Sequence, residues 1–379
     1  MKEDASSPTG YTATFVYEDA KAEQVNLVGT FGFYEEGKEV GKLPEETIHA
    51  KDYQPGMFRA SSSDFAVTEE MTKAEGTDYW TVSLPLPSGH YLYNYNIDSA
   101  EENTPDPANQ PMASTAKSGS ASRLSTFNVP YDECQGSSID FSFMMPRSDE
   151  QAGEVIYADY TDVNGNLAGL GIYLPYGYDE NRTEGYKTIY LSHGAGGNEM
   201  EWFASGNTNY VFDNMIAEGT VEPTIVVTMN NTVYSWDFDL INQNVMDHII
   251  PFMEENYNVG TSPEDRAFAG LSMGGMTTSN VLYENGDQFG YFGIFSGADG
   301  SMRIATLDQE KLKQPSIMIG AGIYDFGIDP SMNGFAVQHA FTQLSDLGIP
   351  YSYYIVKGGH DWTVWPQLIK IFAENYLWK

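Results

Sequence analysis

Cysteine is all but missing from this 379-residue chain. Cys134 stands alone, so no internal disulfide framework is available. With no histidine in its own segment it reads as a loop or core residue rather than a metal ligand or thiol nucleophile. Basic residues are also scarce: 19 Lys and Arg against 53 Asp and Glu give a formal charge of −34. Such a surface repels nucleic acid and anionic lipid at long range, which sets both aside as partners. Its default role is solubility, and uncharged polymers such as plant polysaccharides stay open as partners. No apolar run approaches the roughly 20 residues of a membrane-spanning helix. The opening MKEDASSPTG lacks the basic segment and apolar stretch of a secretory signal. Either the protein is cytoplasmic or it is secreted and its signal has been removed; composition favours the second.

Aromatic and apolar side chains are plentiful. Hydrophobic residues make up 41% and aromatics 14%, with 26 Tyr and 6 Trp. That is enough for a large core and suits contact with sugars or aromatic rings. The length accommodates two domains. Residues 10 to about 130 read as β structure, with alternating segments at Thr12–Tyr17, Gln24–Val28, Trp80–Leu84 and Tyr91–Ile97. Tyr91, Tyr93 and Tyr95 share one strand face and are expected in a sandwich core. The Ser-, Ala- and Gly-rich stretch 114–125 reads as a loop.

From about Gly153 the pattern changes. Short apolar β segments at Gly171–Leu174, Lys187–Leu191, Thr224–Thr228, Arg266–Ala269, Tyr291–Phe295, Pro315–Ile319 and Tyr351–Val356 now alternate with helical stretches. The helices are expected over Asn209–Glu218, Asn242–Asn256, Met276–Glu284, Phe335–Leu347 and Thr363–Tyr376. Strands spaced by helices predict a mainly parallel sheet covered on both faces, with chemistry at the carboxyl ends of its strands. The expected layout is an all-β module over 1–130, a linker over 131–150 and an α/β domain over 151–379.

Gly270-Leu-Ser272-Met-Gly274 is a G-x-S-x-G pentapeptide. Alone it is a weak signal, but it lies between an apolar strand and the start of a helix, the setting of a nucleophile elbow. A serine hydroxyl needs a base to take its proton. Of six histidines, His49 and His90 fall in the β module, while His248 and His339 fall on expected helices. His360 follows the last strand in Lys-Gly-Gly-His-Asp-Trp, where this chain order puts the base. The acid should leave the strand before it. Asp325 follows that strand in Gly322-Ile-Tyr-Asp325-Phe, with Asp329 and Asp299 as competitors. Asp361 is read as a loop cap. Acyl transfer also needs oxyanion donors, and the loop His193-Gly-Ala-Gly-Gly197 offers the Ala195 N–H to converge with that of Met273. His193 itself is read as holding that loop. No Lys-Ser/Thr follows these glycines, so a phosphate cradle is set aside. No metal and no cofactor are expected.

The series LSHGAGGNEMEW, GLSMGG, GAGIYD and GGHDWTVW, in order over residues 191–365, resembles carbohydrate esterase family one, which contains feruloyl and acetyl xylan esterases. The segment GIYLPYGYDEN before them fits the family's first strands. The resemblance implies an α/β hydrolase fold, a triad of Ser272, Asp325 and His360, and Ala195 and Met273 as oxyanion donors. Pro366 departs from it, standing where a basic residue is expected after Trp365. The segments TFVYEDAKAEQVNLVGTF, DYWTVSLPLPSGHYLYNYNID and TPDPANQP are similar to the early-set modules of carbohydrate-binding family forty-eight. They imply an immunoglobulin-like sandwich, one that in this pairing often fails to bind starch and could buttress the esterase cleft.

Trp202, Tyr234, Trp236, Trp362 and Trp365 are expected near the cleft. Aromatic walls suit a feruloyl ring and equally suit stacking on xylose. The expected activity is hydrolysis of feruloyl esters on plant arabinoxylan, with acetyl xylan esterase as the alternative on the same triad. A non-catalytic carbohydrate-binding protein on a hydrolase scaffold is the competitor from another class, and the intact Ser, Asp and His argue against it.

Overall fold

The computed structural model describes residues 1–60, 67–131, 139–148, 150–299, 312–329, 331 and 336–379; Cys134 and Phe335 lie outside them. Ahead of Glu154 the described chain is nearly all β. One four-stranded antiparallel sheet orders Lys2–Glu3, Tyr11–Glu18, Tyr79–Pro85 and Thr72–Lys73. A second orders Ser125–Val129, Gly89–Ile97, Val25–Gly29 and Val67–Glu70. The two share a core: Phe15, Trp80 and Leu84 from the first meet Leu27, Tyr91, Tyr93, Tyr95 and Val129 from the second. Strand period 2 explains this, since Tyr91, Tyr93 and Tyr95 turn inward while Asn94 and Asn96 turn outward. A small sheet of Ile48–His49, Gly32–Tyr34 and Phe58–Arg59 sits beside them.

From Glu154 onward one eight-stranded sheet dominates. Its strands are Glu154–Thr161 (β1), Leu167–Leu174 (β2), Lys187–Ser192 (β3), Thr224–Met229 (β4), Arg266–Leu271 (β5), Tyr291–Phe295 (β6), Ser316–Gly322 (β7) and Ser352–Val356 (β8). They lie in the order β1-β2-β4-β3-β5-β6-β7-β8, with β2 antiparallel to both neighbours and β3 to β8 parallel. Both faces are buried, so alternate residues feed different cores. Tyr190, Ile225, Val227 and Phe268 join one with Val281, Leu282, Val337 and Leu344. Ile189, Leu191, Val226 and Ala269 join the other with Phe212, Met215, Leu368 and Phe372. Continuous apolar runs result, as burial on two faces requires.

Three local differences from expectation have physical causes. The strand β1 was not foreseen, because EVIYADYT mixes polar and apolar residues at a half-buried edge. The helix expected from Asn242 begins at Phe238, is capped by the Asp237 carboxylate on the Leu240 N–H, and passes through a π-helical stretch at Val245–Ile249 before Pro251. Proline has no N–H to continue the regular ladder there. The described part of the 131–150 stretch is not a free tether. Phe141 and Met144 are buried against the hydrolase core, and Asn214 donates to the carbonyls of Phe143 and Met145.

The β region and the large sheet are stitched together by polar contacts. The Asp159 carboxylate accepts from the Lys117 and Ser118 N–H groups, and that of Glu199 from Ser120. His90 Nε2 lies 2.9 Å from Ala204 O. No helix among the described residues is long and apolar enough to cross a membrane.

Candidate active site

Four strand ends build the site. At the end of β5, Ser272 takes φ 55° and ψ −118°, a conformation non-glycine residues adopt only where the surroundings enforce it. The enforcement is steric and visible in the glycines. A Cβ on Gly270 would lie 2.3 Å from Gly274 O, one on Gly274 2.3 Å from Ser192 O, and one on Gly275 2.3 Å from Gly297 O. The Ser272 N–H donates to Phe295 O at 2.9 Å, tying the turn to β6. The helix Met273–Asn285 starts immediately after, so its N-terminal dipole faces the hydroxyl.

His360 arrives from β8 and Asp325 from β7. His360 Nε2 lies 2.9 Å from Ser272 Oγ, and His360 Nδ1 lies 2.7 Å from Asp325 Oδ1. Asp325 is fully buried and also accepts from the Gly327 N–H at 2.6 Å, which orients its carboxylate. Asp329, a competitor for the acid, instead accepts from the Ser331 N–H. Asp361 caps its own loop through the Thr363 N–H at 2.7 Å.

The loop after β3 packs directly on the elbow: a Cβ on Gly194 would lie 2.9 Å from Leu271 Cδ1 and 3.5 Å from Ser272 Cβ. Ala195 lines the cleft, and Met273 opens the helix that follows Ser272. His193 holds the loop. Its Nδ1 pairs with Gly194 O at 2.6 Å and its Nε2 accepts from the Asn231 N–H at 2.9 Å, a pattern that requires the neutral ring. Burial agrees, pushing its pKa down to about 4. Glu201 lies under the same loop, its carboxyl pushed up to about 8 by burial.

The five aromatic residues expected at the cleft divide. Trp236, half exposed, lines it, as do Trp362 and Trp365. Trp202 and Tyr234 do not. Trp202 is fully buried, with its Nε1–H donating to Ser192 O and its ring edge-on to Trp362. Tyr234 is buried with its hydroxyl on Asp162. Both follow strands that lead to the site, but their own packing turns them into the core. Pro366 stands at the start of the helix Trp365–Asn375, where its missing N–H costs nothing. Phe326 was not foreseen: its ring lies 4.0 Å from that of His360, which also makes an edge-on contact with Trp365. Also unforeseen, the outward residues of the β region (Asn26, Thr68, Asn94 and Asn96) form a second wall of the same cleft. The alternation of Asn with Tyr over 91–96 carried that signal. No group of three or more His, Cys, Asp or Glu that could hold a metal is found among the described residues.

An eight-stranded sheet in this order, with a strained serine at the end of β5, defines the α/β-hydrolase class. The chain belongs to the Esterase family, whose model matches residues 164–374. It is similar to an endo-1,4-beta-xylanase/feruloyl esterase of Xylanibacter ruminicola, at 26% identity over 312 residues, which is 78% of this chain and 39% of that protein. The chain thus spans well under half the length of that relative. Among solved structures, a serine-to-alanine mutant of the feruloyl esterase module of Clostridium thermocellum, complexed with sinapinate, matches with TM-score 0.50 and 25% identity, covering 63% of this chain and 92% of that one. The enterobactin esterase of Shigella flexneri, at 16% identity and TM-score 0.57, covers 97% of this chain and 92% of its own, and shows that both regions together follow a known fold.

Proposed function

We propose that this protein is a serine carboxylic-ester hydrolase that releases feruloyl groups from plant xylan through an acyl-enzyme. The hydrogen-bonded series Asp325, His360 and Ser272 carries the reading. Ser272 Oγ attacks the ester carbonyl carbon while His360 Nε2 takes its proton, and Asp325 holds the imidazole tautomer and stabilises the imidazolium. The Ala195 and Met273 N–H groups receive the oxyanion. Collapse breaks the bond to the sugar oxygen, which His360 protonates, leaving the acyl group on Ser272. Water, deprotonated by His360, then releases the acid and restores the serine.

The relatives named for feruloyl ester hydrolysis support the acyl group. The cleft supports a large leaving group. At about 2120 Å³ it exceeds the roughly 300–1,000 Å³ of a small-ligand pocket, and Asn26, Asn94, Asn96 and Asn103 set amide groups along its outer wall beside the charged Glu102 and Arg123. We read the β region as an immunoglobulin-like, early-set module and the protein as secreted. Ferulate and acetate release from arabinoxylan, with Ser272→Ala as control, tests the proposal. Ferulate release lost in the variant supports it, and acetate alone replaces it with acetyl xylan esterase. Neither product, from a chain that also fails to react with a fluorophosphonate, leaves the non-catalytic carbohydrate-binding reading.

A further inference from the structure

The acid and base loops touch the β region, and the contacts fall on the residues beside the reacting groups. Tyr324, next to Asp325, stacks on Phe58 with ring centroids 4.7 Å apart and planes 15° from parallel. Its hydroxyl accepts from the Gly37 N–H at 3.0 Å. The carbonyl of Ile323 accepts from the Gly41 N–H at 2.8 Å. On the other loop, Gly359 precedes His360, and a Cβ there would meet Leu43 and Ala60 at 3.3–3.4 Å. Lys357 pairs with Glu36 at 2.9 Å. The two loops are also joined to each other, the Tyr324 N–H donating to Gly358 O at 3.0 Å. Tyr34, Phe58, Ala60 and Tyr324, with Leu43 and Ile323 against them, form an apolar cluster apart from the three larger cores.

Within the small sheet Phe58 also stacks on its cross-strand partner Tyr34, but the cluster as a whole draws its members from both sides of the boundary. We infer that the segments 36–43 and 58–60 of the β region are a clamp that positions the catalytic acid and base, with Phe58 and Tyr324 as its positioning residues. The inference rests on the proposed triad and not on the identity of the acyl group. Catalysis by a hydrogen-bonded series is steep in geometry, and a displacement of about 1 Å costs about 10²-fold. Loss of the Phe58 ring frees Tyr324 to move, and Asp325 with it, while the elbow of Ser272 stays in place.

The test uses the full chain and reads the rate of Ser272 labelling by an uncharged fluorophosphonate, together with kcat and KM on 4-nitrophenyl acetate. Phe58→Ala is expected to slow labelling and kcat 10-fold or more with KM within twofold, and Phe58→Leu to recover most of the rate. Asp159→Asn serves as the control, since it weakens another contact between the same regions far from the triad; it is expected to lower Tm without changing kcat. Phe58→Ala with undiminished kcat, or a loss that Asp159→Asn reproduces at equal Tm, overturns the clamp. Should Phe58→Ala fail to fold, Tyr324→Phe, which loses only the hydroxyl's contacts with the Gly37 N–H and carbonyl, must still lower kcat. A wild-type chain that does not label overturns the triad and the clamp together, whereas labelling without ferulate release removes only the feruloyl reading.

Discussion

The two halves of the candidate site are held by different means. The nucleophile half is local: Gly270, Gly274 and Gly275 bring backbone against backbone within the hydrolase core, and a strained Ser272 is the result. The acid–base half is remote. Asp325 and His360 stand on loops after β7 and β8, joined to each other by two backbone hydrogen bonds, Ile323 N–H to Val356 O and Tyr324 N–H to Gly358 O. Both loops pack on residues of the β region, Glu36 to Ala60, far earlier in the chain. The acid and base loops have close backbone contacts of their own, Gly322 against the Gly358 and Gly359 carbonyls and Gly327 against that of Ser296. Their outer sides, however, rest on a stacked ring and hydrogen bonds from the β region, which can shift where backbones packed on every side cannot. Damage to the first half should therefore appear as lost folding, and damage to the second as lost rate in a folded chain.

The largest expected effect lies in the second half. Asp325→Asn keeps the volume of the side chain but removes the charge and invites the wrong imidazole tautomer, so kcat should fall about 10³–10⁴-fold. Thermal unfolding should move little beside that loss. A steady-state assay beside a melting curve checks both. A collapse of Tm with the rate would show that the acid loop is as rigidly built as the elbow and would erase the contrast.

Gly274→Ala probes the first half. Its Cβ would sit 2.3 Å from Ser192 O and 2.7 Å from His193 O, both backbone atoms of β3 and its loop. Neither can turn aside as a side-chain tip would. Overpacking of this kind costs about 1–3 kcal/mol or more. Denaturant unfolding should show that loss, with the chain that remains folded keeping a substantial share of its reactivity toward a fluorophosphonate. Unchanged stability would mean that the elbow yields more than its contacts imply.

The contrast also explains what could be read from the sequence. The nucleophile half was legible because its causes lie within a few residues: Gly270, Ser272 and Gly274 sit between a strand and a helix, and the parallel strands announce themselves by apolar runs. Asp325 and His360 were legible by chain order, since each follows the strand expected of it. What could not be read was anything fixed across the chain. Trp202 and Trp362 both stand near the site in sequence terms, yet one is wholly core and the other lines the cleft, a distinction set by neighbours from other elements. The contact of Phe326 with His360 and the stack of Phe58 on Tyr324 have no local pattern at all. Strand β1, half-buried at an edge, lacked the alternation that would have marked it.

The smallest effect sharpens the comparison from inside the nucleophile half. Glu201 lies where a Cβ on Gly197 would collide with its Oε2, and that oxygen is buried without a hydrogen-bond partner. The neighbouring imidazole of His193 is held neutral and offers it no charge. Burial raises the Glu201 carboxyl from 4.5 to about 8, so between those values the folded chain keeps a proton that the unfolded chain releases. Folding stability must then fall as pH rises through that window and level off above it. The limit is about 1.4 kcal/mol per pH unit, and the side chain's partial opening to the cleft keeps the slope below it. Glu201→Gln removes the titration while keeping the shape. Relative to wild type its Tm should gain steadily from pH 5 to pH 8 and no further at pH 9. A gap between the two proteins that does not change with pH would show that Glu201 ionises freely, and that the packing around the glycine loop after β3 is looser than that around Ser272.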